Sequence, residues 1–175
     1  MRVFPKIHRA VLAAIACASL LLPAMSTPAS AIIYPAKVTK SGKATLSVKP
    51  VKNLNATSTR IKVKGKGFDQ RTGIYVALCV TPRKGSGISP GPCGGGINMT
   101  ASDPSSAWIS SNPPPYGRDL AIPYSKGGRF SVTLTVNSQI GDIDCRRVSC
   151  AIVTRADHTK SSIRTSDLFI PVTFK

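Results

Sequence analysis

Eight consecutive residues, Arg129 to Val136, alternate without a fault: Phe130, Val132, Leu134 and Val136 are apolar, and Arg129, Ser131, Thr133 and Thr135 stand between them. Side chains of a strand point alternately to its two faces, so this segment is a strand with one buried and one solvated side. The same period runs through Lys43 to Lys49, with Leu46 and Val48 inward, and through Arg60 to Lys66, with Ile61 and Val63 inward. Gly73 to Val80, Cys150 to Arg155 and Leu168 to Phe174 add three more strands, and a seventh falls between Ile97 and Ile109. Pro171 cannot donate to a ladder on both sides, which puts the last strand at a sheet edge. Turn clusters such as Lys84 to Gly87, Gly94 to Gly96, Asn112 to Pro115 and Gly127-Gly128 separate these runs. No stretch after residue 31 has a helical period. Seven short strands with frequent turns predict an all-β protein, an antiparallel sandwich with one core, spanning residues 43–175.

The first segment reads as an address. Arg2, Lys6 and Arg9 precede a charge-free run from Val11 to Leu22, and Ala29-Ser30-Ala31 offers small residues at a cleavage site. That is the pattern of a secretory signal peptide over residues 1–31, cut after Ala31. The apolar run is shorter than the roughly 20 residues that span a bilayer, and no later stretch is longer, so no transmembrane span is expected. Cys17 lies inside the apolar run with Leu20 to Leu22 still to follow, which does not suit a lipidation site. Residues 32–42 are expected to form a basic, poorly ordered leader. The expected location is outside the cell or on its envelope, and the expected state is a monomer.

Export brings an oxidising environment, where an even set of cysteines pairs. Removing Cys17 leaves Cys79, Cys93, Cys145 and Cys150, for which three connectivities are possible. Pairing near neighbours closes loops of about 15 and about 6 residues, worth roughly 3 and 2 kcal/mol in the chain-entropy description. A zinc site is the rival, but the two-residue spacing of its usual cysteine pairs is absent.

Charge is the strongest signal beyond architecture. The chain carries 24 Lys and Arg against 7 acidic residues, a net charge of +17, and every acidic residue is Asp. If Lys43, Lys49, Arg60, Lys62, Lys64 and Arg129 face outward from neighbouring strands, they form a basic plate that attracts polyanions. An exported protein does not meet cytoplasmic nucleic acid, so the expected partners are anionic envelope polymers, phospholipid surfaces or acidic proteins. The plainer alternative is a solvated face whose lysines discourage strand-to-strand association.

Catalytic constellations lack their parts. His158 is the one histidine beyond the signal segment. Its neighbour Asp157 points to the opposite face in extended chain, so a Ser/His/Asp arrangement is not expected. Asp142 and Asp144 have a period-two spacing, but a hard cation wants about six oxygen ligands and no further acid lies close. No enzyme activity, metal or cofactor is expected. The sequons at Asn55 and Asn98 matter only in a eukaryotic secretory route.

Ordered motifs carry a resemblance. Val63-Lys64-Gly65-Lys66-Gly67-Phe68, then Thr72-Gly73-Ile74-Tyr75-Val76 leading to Cys79, then Asp144-Cys145 with a four-residue gap to Cys150, are similar to the neocarzinostatin-like family. These are small secreted actinobacterial sandwiches, and the likeness runs from about Ala44 to Phe174. It implies an immunoglobulin-like seven-stranded sandwich, local pairing of Cys79 with Cys93 and of Cys145 with Cys150, and an open cleft beside the first disulfide. In the strand from Gly73, alternation sends Ile74, Val76 and Leu78 inward and Tyr75, Ala77 and Cys79 outward. The resemblance then implies a cleft around Tyr75, Ala77, Ala151 and Val153, holding a small apolar ligand. Trp108 and Tyr116, which flank the stiff Pro113 to Pro115, are assigned to the same cleft, although a single Trp also serves as a core plug. The aromatic and the bulky residue that flank the ligand in carrier members are matched here by Thr81 and Gly91. Each lost stacking contact is worth about 0.5–1.5 kcal/mol, so an enediyne is not the expected ligand. The alternative for the outward row is burial beneath the long loop from Thr81 to Ile97.

Overall fold

A computed structural model describes residues 36–95 and 104–175, all within the unit Ile33–Lys175. The expected signal peptide and the Asn98 sequon lie outside the described residues. The strands in chain order are β1 (Lys37–Ser41), β2 (Ala44–Lys49), β3 (Thr59–Lys66), β4 (Ile74–Val80), β5 (Ser106–Ile109), β6 (Phe130–Val136), β7 (Gln139–Ile140), β8 (Ile143–Asp144), β9 (Cys150–Ala156) and β10 (Leu168–Pro171). Single 3-10 turns occur at Pro115–Gly117 and His158–Lys160.

Two antiparallel sheets form, ordered β1-β2-β3-β6 and β10-β9-β4-β5, with β7 and β8 as a separate ribbon. The inward rows of the two sheets meet. Leu46, Val48, Ile61, Val63, Val132, Leu134 and Val136 come from the first, and Ile74, Val76, Leu78, Ile152, Leu168 and Ile170 from the second, all buried in one core. One end of that core is closed by Phe68, Tyr124 and Phe130, with the Phe68 and Phe130 rings 5.4 Å apart. Gly65 lies under the Phe130 ring so closely that a Cβ there would come within 2.0 Å of it, which excludes any larger residue. All seven expected strands are present. The sandwich with two local disulfides, Cys79 to Cys93 and Cys145 to Cys150, is the architecture that the family resemblance implies.

The expected leader needs correction. Residues 37–41 are a strand, paired with β2 from Lys37 opposite Val48 to Ser41 opposite Ala44. The hairpin turns on Gly42, whose φ of 54° is the left-handed conformation a tight turn demands. Its composition looked like solvated chain because β1 is an edge strand whose residues are nearly all exposed. Its order comes from backbone pairing, which leaves no apolar signature. The β7–β8 ribbon is the other addition, and it delivers Cys145 to Cys150.

Candidate functional site

The outer face of the second sheet carries a small apolar cluster that the main core does not share. It comprises Ala77, Cys79, Ala151 and Val153, with Cys93 and Phe169 packed on it. The register produces it directly, since Ala77 lies opposite Val153 and Cys79 opposite Ala151 across β4 and β9. Over part of this cluster opens a cleft of about 320 Å³. Ala77, Cys79 and Val153 line its floor, Gly91, Pro92 and Cys93 one wall, and Tyr75, Arg155, His158 and Ser161 the rest. The disulfide fixes the loop wall to the floor, and Arg155 donates from Nη1 to the Pro90 carbonyl at 3.1 Å, a second tie between sheet and loop.

The residues assigned to the cleft from the sequence divide three ways. Tyr75, Ala77 and Val153 line it. Ala151 does not. It is fully buried, and Cys93 and Phe169 pack on its cluster, because alternation tells which side a residue faces but not what lies on top. Trp108 and Tyr116 do not line it either. Trp108 pairs across from Tyr75 on β5 and is buried behind it, whereas Tyr116 is exposed. The loop alternative is realised in part: Gly91 to Cys93 of that loop form one wall over the outward row, tied to it by the Cys79–Cys93 bridge.

His158, Arg155 and Ser161 also line the cleft, although the sequence did not assign them to it. His158 stands between two phenols, with Tyr75 Oη 2.5 Å from Nδ1 and Tyr116 Oη 2.6 Å from Nε2. A neutral imidazole has one N–H and one lone pair, so one tyrosine donates to the ring and the other accepts from it. Both ring nitrogens are thereby engaged by phenols. Burial, reinforced by Asp157 and Tyr116, pushes the Tyr75 phenol up to about 12.

Asp157 does not sit in extended chain: the strand ends at Ala156 and Asp157 caps the 3-10 turn that begins at His158. Its buried carboxylate accepts from Trp108 Nε1 at 2.9 Å through Oδ2, and from Thr159 N at 3.0 Å and Thr159 Oγ1 at 2.6 Å through Oδ1. It caps the 3-10 turn that presents His158 and holds the indole on which His158 rests, with ring centroids 5.3 Å apart. No sequence signal joins Trp108 to a carboxylate 49 residues away. The Asp144 carboxylate is engaged by Arg146, with Nη2 at 2.7 Å, and Arg146 holds its carboxyl down at about 2.

The outer face of the first sheet has the opposite character. Lys49 lies directly across from Lys62, Ser47 from Lys64, and Thr45 from Lys66, while Arg60 sits opposite Thr135. Lys40, opposite Thr45, extends the field onto β1. Lys49, Arg60, Lys62, Lys64 and Arg129 are all exposed, and Arg129 lines the same shallow trough as Lys62 and Lys64. Lys43 is exposed too, but it occupies the β1–β2 turn, at the end of the plate and not on it. The four strands contain no acidic residue, and the three ion pairs among the described residues, Arg71 with Asp69, Arg146 with Asp144 and Arg164 with Asp167, all lie elsewhere.

No model of a known protein family matches the chain, and no curated protein matches it. Among solved structures the chain is similar to macromomycin, at 17% identity and a TM-score of 0.46, over 75% of this chain and 99% of that one.

Proposed function

We propose that the chain is an exported, non-enzymatic binding module that holds a small apolar ligand in the cleft beside the Cys79–Cys93 bridge. The observation that carries this reading is the floor: Ala77, Cys79 and Val153 form an apolar, small-residue surface on the outside of a sheet, where polar residues are the rule. Ligand pockets run from about 300 to 1,000 Å³, so this one suits a compact molecule of one or two rings. Arg155, Ser161 and the Tyr75 hydroxyl set the few polar contacts that orient it. Export fits the signal-peptide pattern and the two disulfides. Native mass spectrometry of the protein from its own secreting host tests the reading, with Ala77→Leu as the blocked control. A bound mass in the parent and none in the variant is expected. A ligand-free parent that also fails to take up apolar dyes overturns it.

A second reading rests on the first sheet. The unneutralised plate around Lys49, Lys62 and Lys64 supports retention on an anionic envelope polymer, with the sandwich as an adhesive component. Exposed charges are screened beyond about 10 Å at 0.1 M salt, so retention on isolated envelope should fall steeply as salt rises. Retention that ignores salt removes this reading.

A further inference from the structure

Four cations stand in one file on β3. Arg60, Lys62, Lys64 and Lys66 occupy alternate positions and are all exposed, whereas Ile61, Val63 and Gly65 between them are buried. Alternate residues of a strand lie about 6.4–6.8 Å apart on one face, so the file presents a cation at every second residue over about 20 Å. Hydroxyls flank it on both sides. Lys66 lies opposite Thr45, Lys64 between Ser47 and Ser131, Lys62 opposite Thr133 and Arg60 opposite Thr135. Among the described residues, no hydrogen bond engages the side-chain oxygens of these serines and threonines.

The file has no counter-charge of its own. Lys49 lies directly across from Lys62, and like charges so placed weaken a sheet unless an anion comes between them. Lys62, Lys64 and Lys66 line one open trough with Thr45, Ser47 and Ser131, and Arg129 stands at its side. Phe130 at the trough is buried, and the outward rows of the four strands hold no exposed aromatic ring, so a nucleic-acid base finds no platform there. The spacing narrows the partner further. A phosphodiester chain joined through three-carbon units has six main-chain bonds from one phosphorus to the next, as many as two residues of polypeptide, so its extended repeat is about 7 Å. It keeps step with the file. Each phosphate has two free oxygens, one for the cation and one for the hydroxyl on the neighbouring strand.

Given retention through the basic plate, the second reading above, we infer that the polymer held there is a single extended chain of phosphodiesters linked through short polyols. It lies along β3 with one phosphate at each of Arg60, Lys62, Lys64 and Lys66. Lys40, on β1 two strands away, is about 10 Å from the file and stays outside the contact. A chain with longer links reaches alternate cations only.

The test titrates two synthetic oligomers of eight phosphates into the secreted protein by calorimetry at several salt concentrations. One is joined through propanediol and the other through triethylene glycol, which nearly doubles the repeat. Each phosphate neutralised adds about −0.7 to the slope of log K against log salt, so the slopes should be about −3 for the propanediol chain and about −1.5 for the other. Lys64→Ser should reduce the first slope by about 0.7, and Lys40→Ser, an equal loss of charge on the same face, should leave it within about 0.2. Ser47→Ala with Ser131→Ala should weaken the propanediol chain about fivefold at unchanged slope. Oligothymidylate of eight phosphates has the same six-bond repeat and should bind within about threefold of it, its bases unread. Equal slopes for the two chains, or equal effects of Lys64→Ser and Lys40→Ser, overturn the inference and leave the plate reading standing. A preference of about tenfold or more for oligothymidylate makes the partner a nucleic acid and overturns it too. No binding of either chain at low salt overturns the inference and the plate reading together.

Discussion

Replacing Asp157 with Ala tests the claim that one buried carboxylate holds the histidine wall of the first cleft. The substitution removes the acceptor of the Trp108 Nε1 bond, and the indole is 4% exposed, so water does not readily replace it. A hydrogen bond to a charged group is worth about 1.5–3 kcal/mol, and the orphaned donor keeps its desolvation cost. The cap on Thr159 adds about 1 kcal/mol. Thr159 is exposed and can turn to solvent, and deleting a buried charge returns part of its own desolvation, so the net loss should be about 3 kcal/mol. For a domain of this size that is a fall in Tm of about 6–12 °C. Urea unfolding followed by far-ultraviolet circular dichroism measures it. The fluorescence of Trp108, the single tryptophan of the chain, reports on the site in the same samples. The decisive number comes from the cycle with Trp108→Phe, which removes the donor. In the Asp157→Ala background the second change should cost less by about 1.5–3 kcal/mol. A coupling below about 0.5 kcal/mol would refute the pin, because two residues that do not share a bond add independently.

Other expectations follow from the same contacts. The Tyr75 phenol is held at about 12 in the folded chain against an ordinary 10, so the unfolded chain ionises first as pH rises. Its contribution is therefore complete below pH 10 and lost as pH climbs towards about 12. Thermal melts across that window should decline more for the parent than for Tyr75→Phe. Changing Cys79 and Cys93 together to Ser should cost about 3 kcal/mol, against about 2 for Cys145 with Cys150, and the first pair alone should abolish ligand uptake; denaturant titration with dye binding checks both. Lys62→Ser with Lys64→Ser should shift elution from a polyphosphate column to lower salt and leave Tm within about 2 °C, since both side chains are exposed.

What the sequence reveals follows the range of the forces involved. Leu46, Ile61, Val132 and Ile152 declare their side by local alternation, and the basic plate is legible because Lys49, Lys62 and Lys64 are the other half of the same pattern. β1 escapes because an exposed edge strand has no inward row to alternate; it is ordered chiefly by its main-chain ladder with β2. Ala151 shows the limit of a two-sided code, for it faces the predicted side and is nevertheless sealed by the loop carrying Cys93 and by Phe169. Trp108 and Tyr116 fail as cleft residues for a related reason. Their positions are set by Asp157 and His158, partners 49 and 42 residues on, and neither contact leaves a local mark.

The sheet edges explain why binding should use the faces. An open edge is a template for strand addition, and proteins cover it or blunt it. Here β1 lies beside β10, with Ser41 Oγ donating to the Thr165 carbonyl at 3.3 Å, and Pro171 removes one donor from the β10 edge. On the opposite side the Trp108 carbonyl accepts from Ile122 N at 2.8 Å, and Ser110 N donates to Ile122 O at 2.9 Å, which closes the β5 edge. Thr135 N of β6 is taken by the Pro104 carbonyl at 2.9 Å. With the β5 edge and Thr135 of β6 taken up by loop segments and Pro171 blunting β10, the outer faces are left to present side chains, and those divide into a cationic face and an apolar one. Stacked sheets lie about 10 Å apart with the core between them, so a change on one outer face reaches the other only through that core. Lys62→Ser should then leave uptake at Ala77 and Val153 unchanged, and Ala77→Leu should leave the salt dependence of polyanion binding unchanged. If either substitution moved the other readout, the two faces would have to belong to one continuous site.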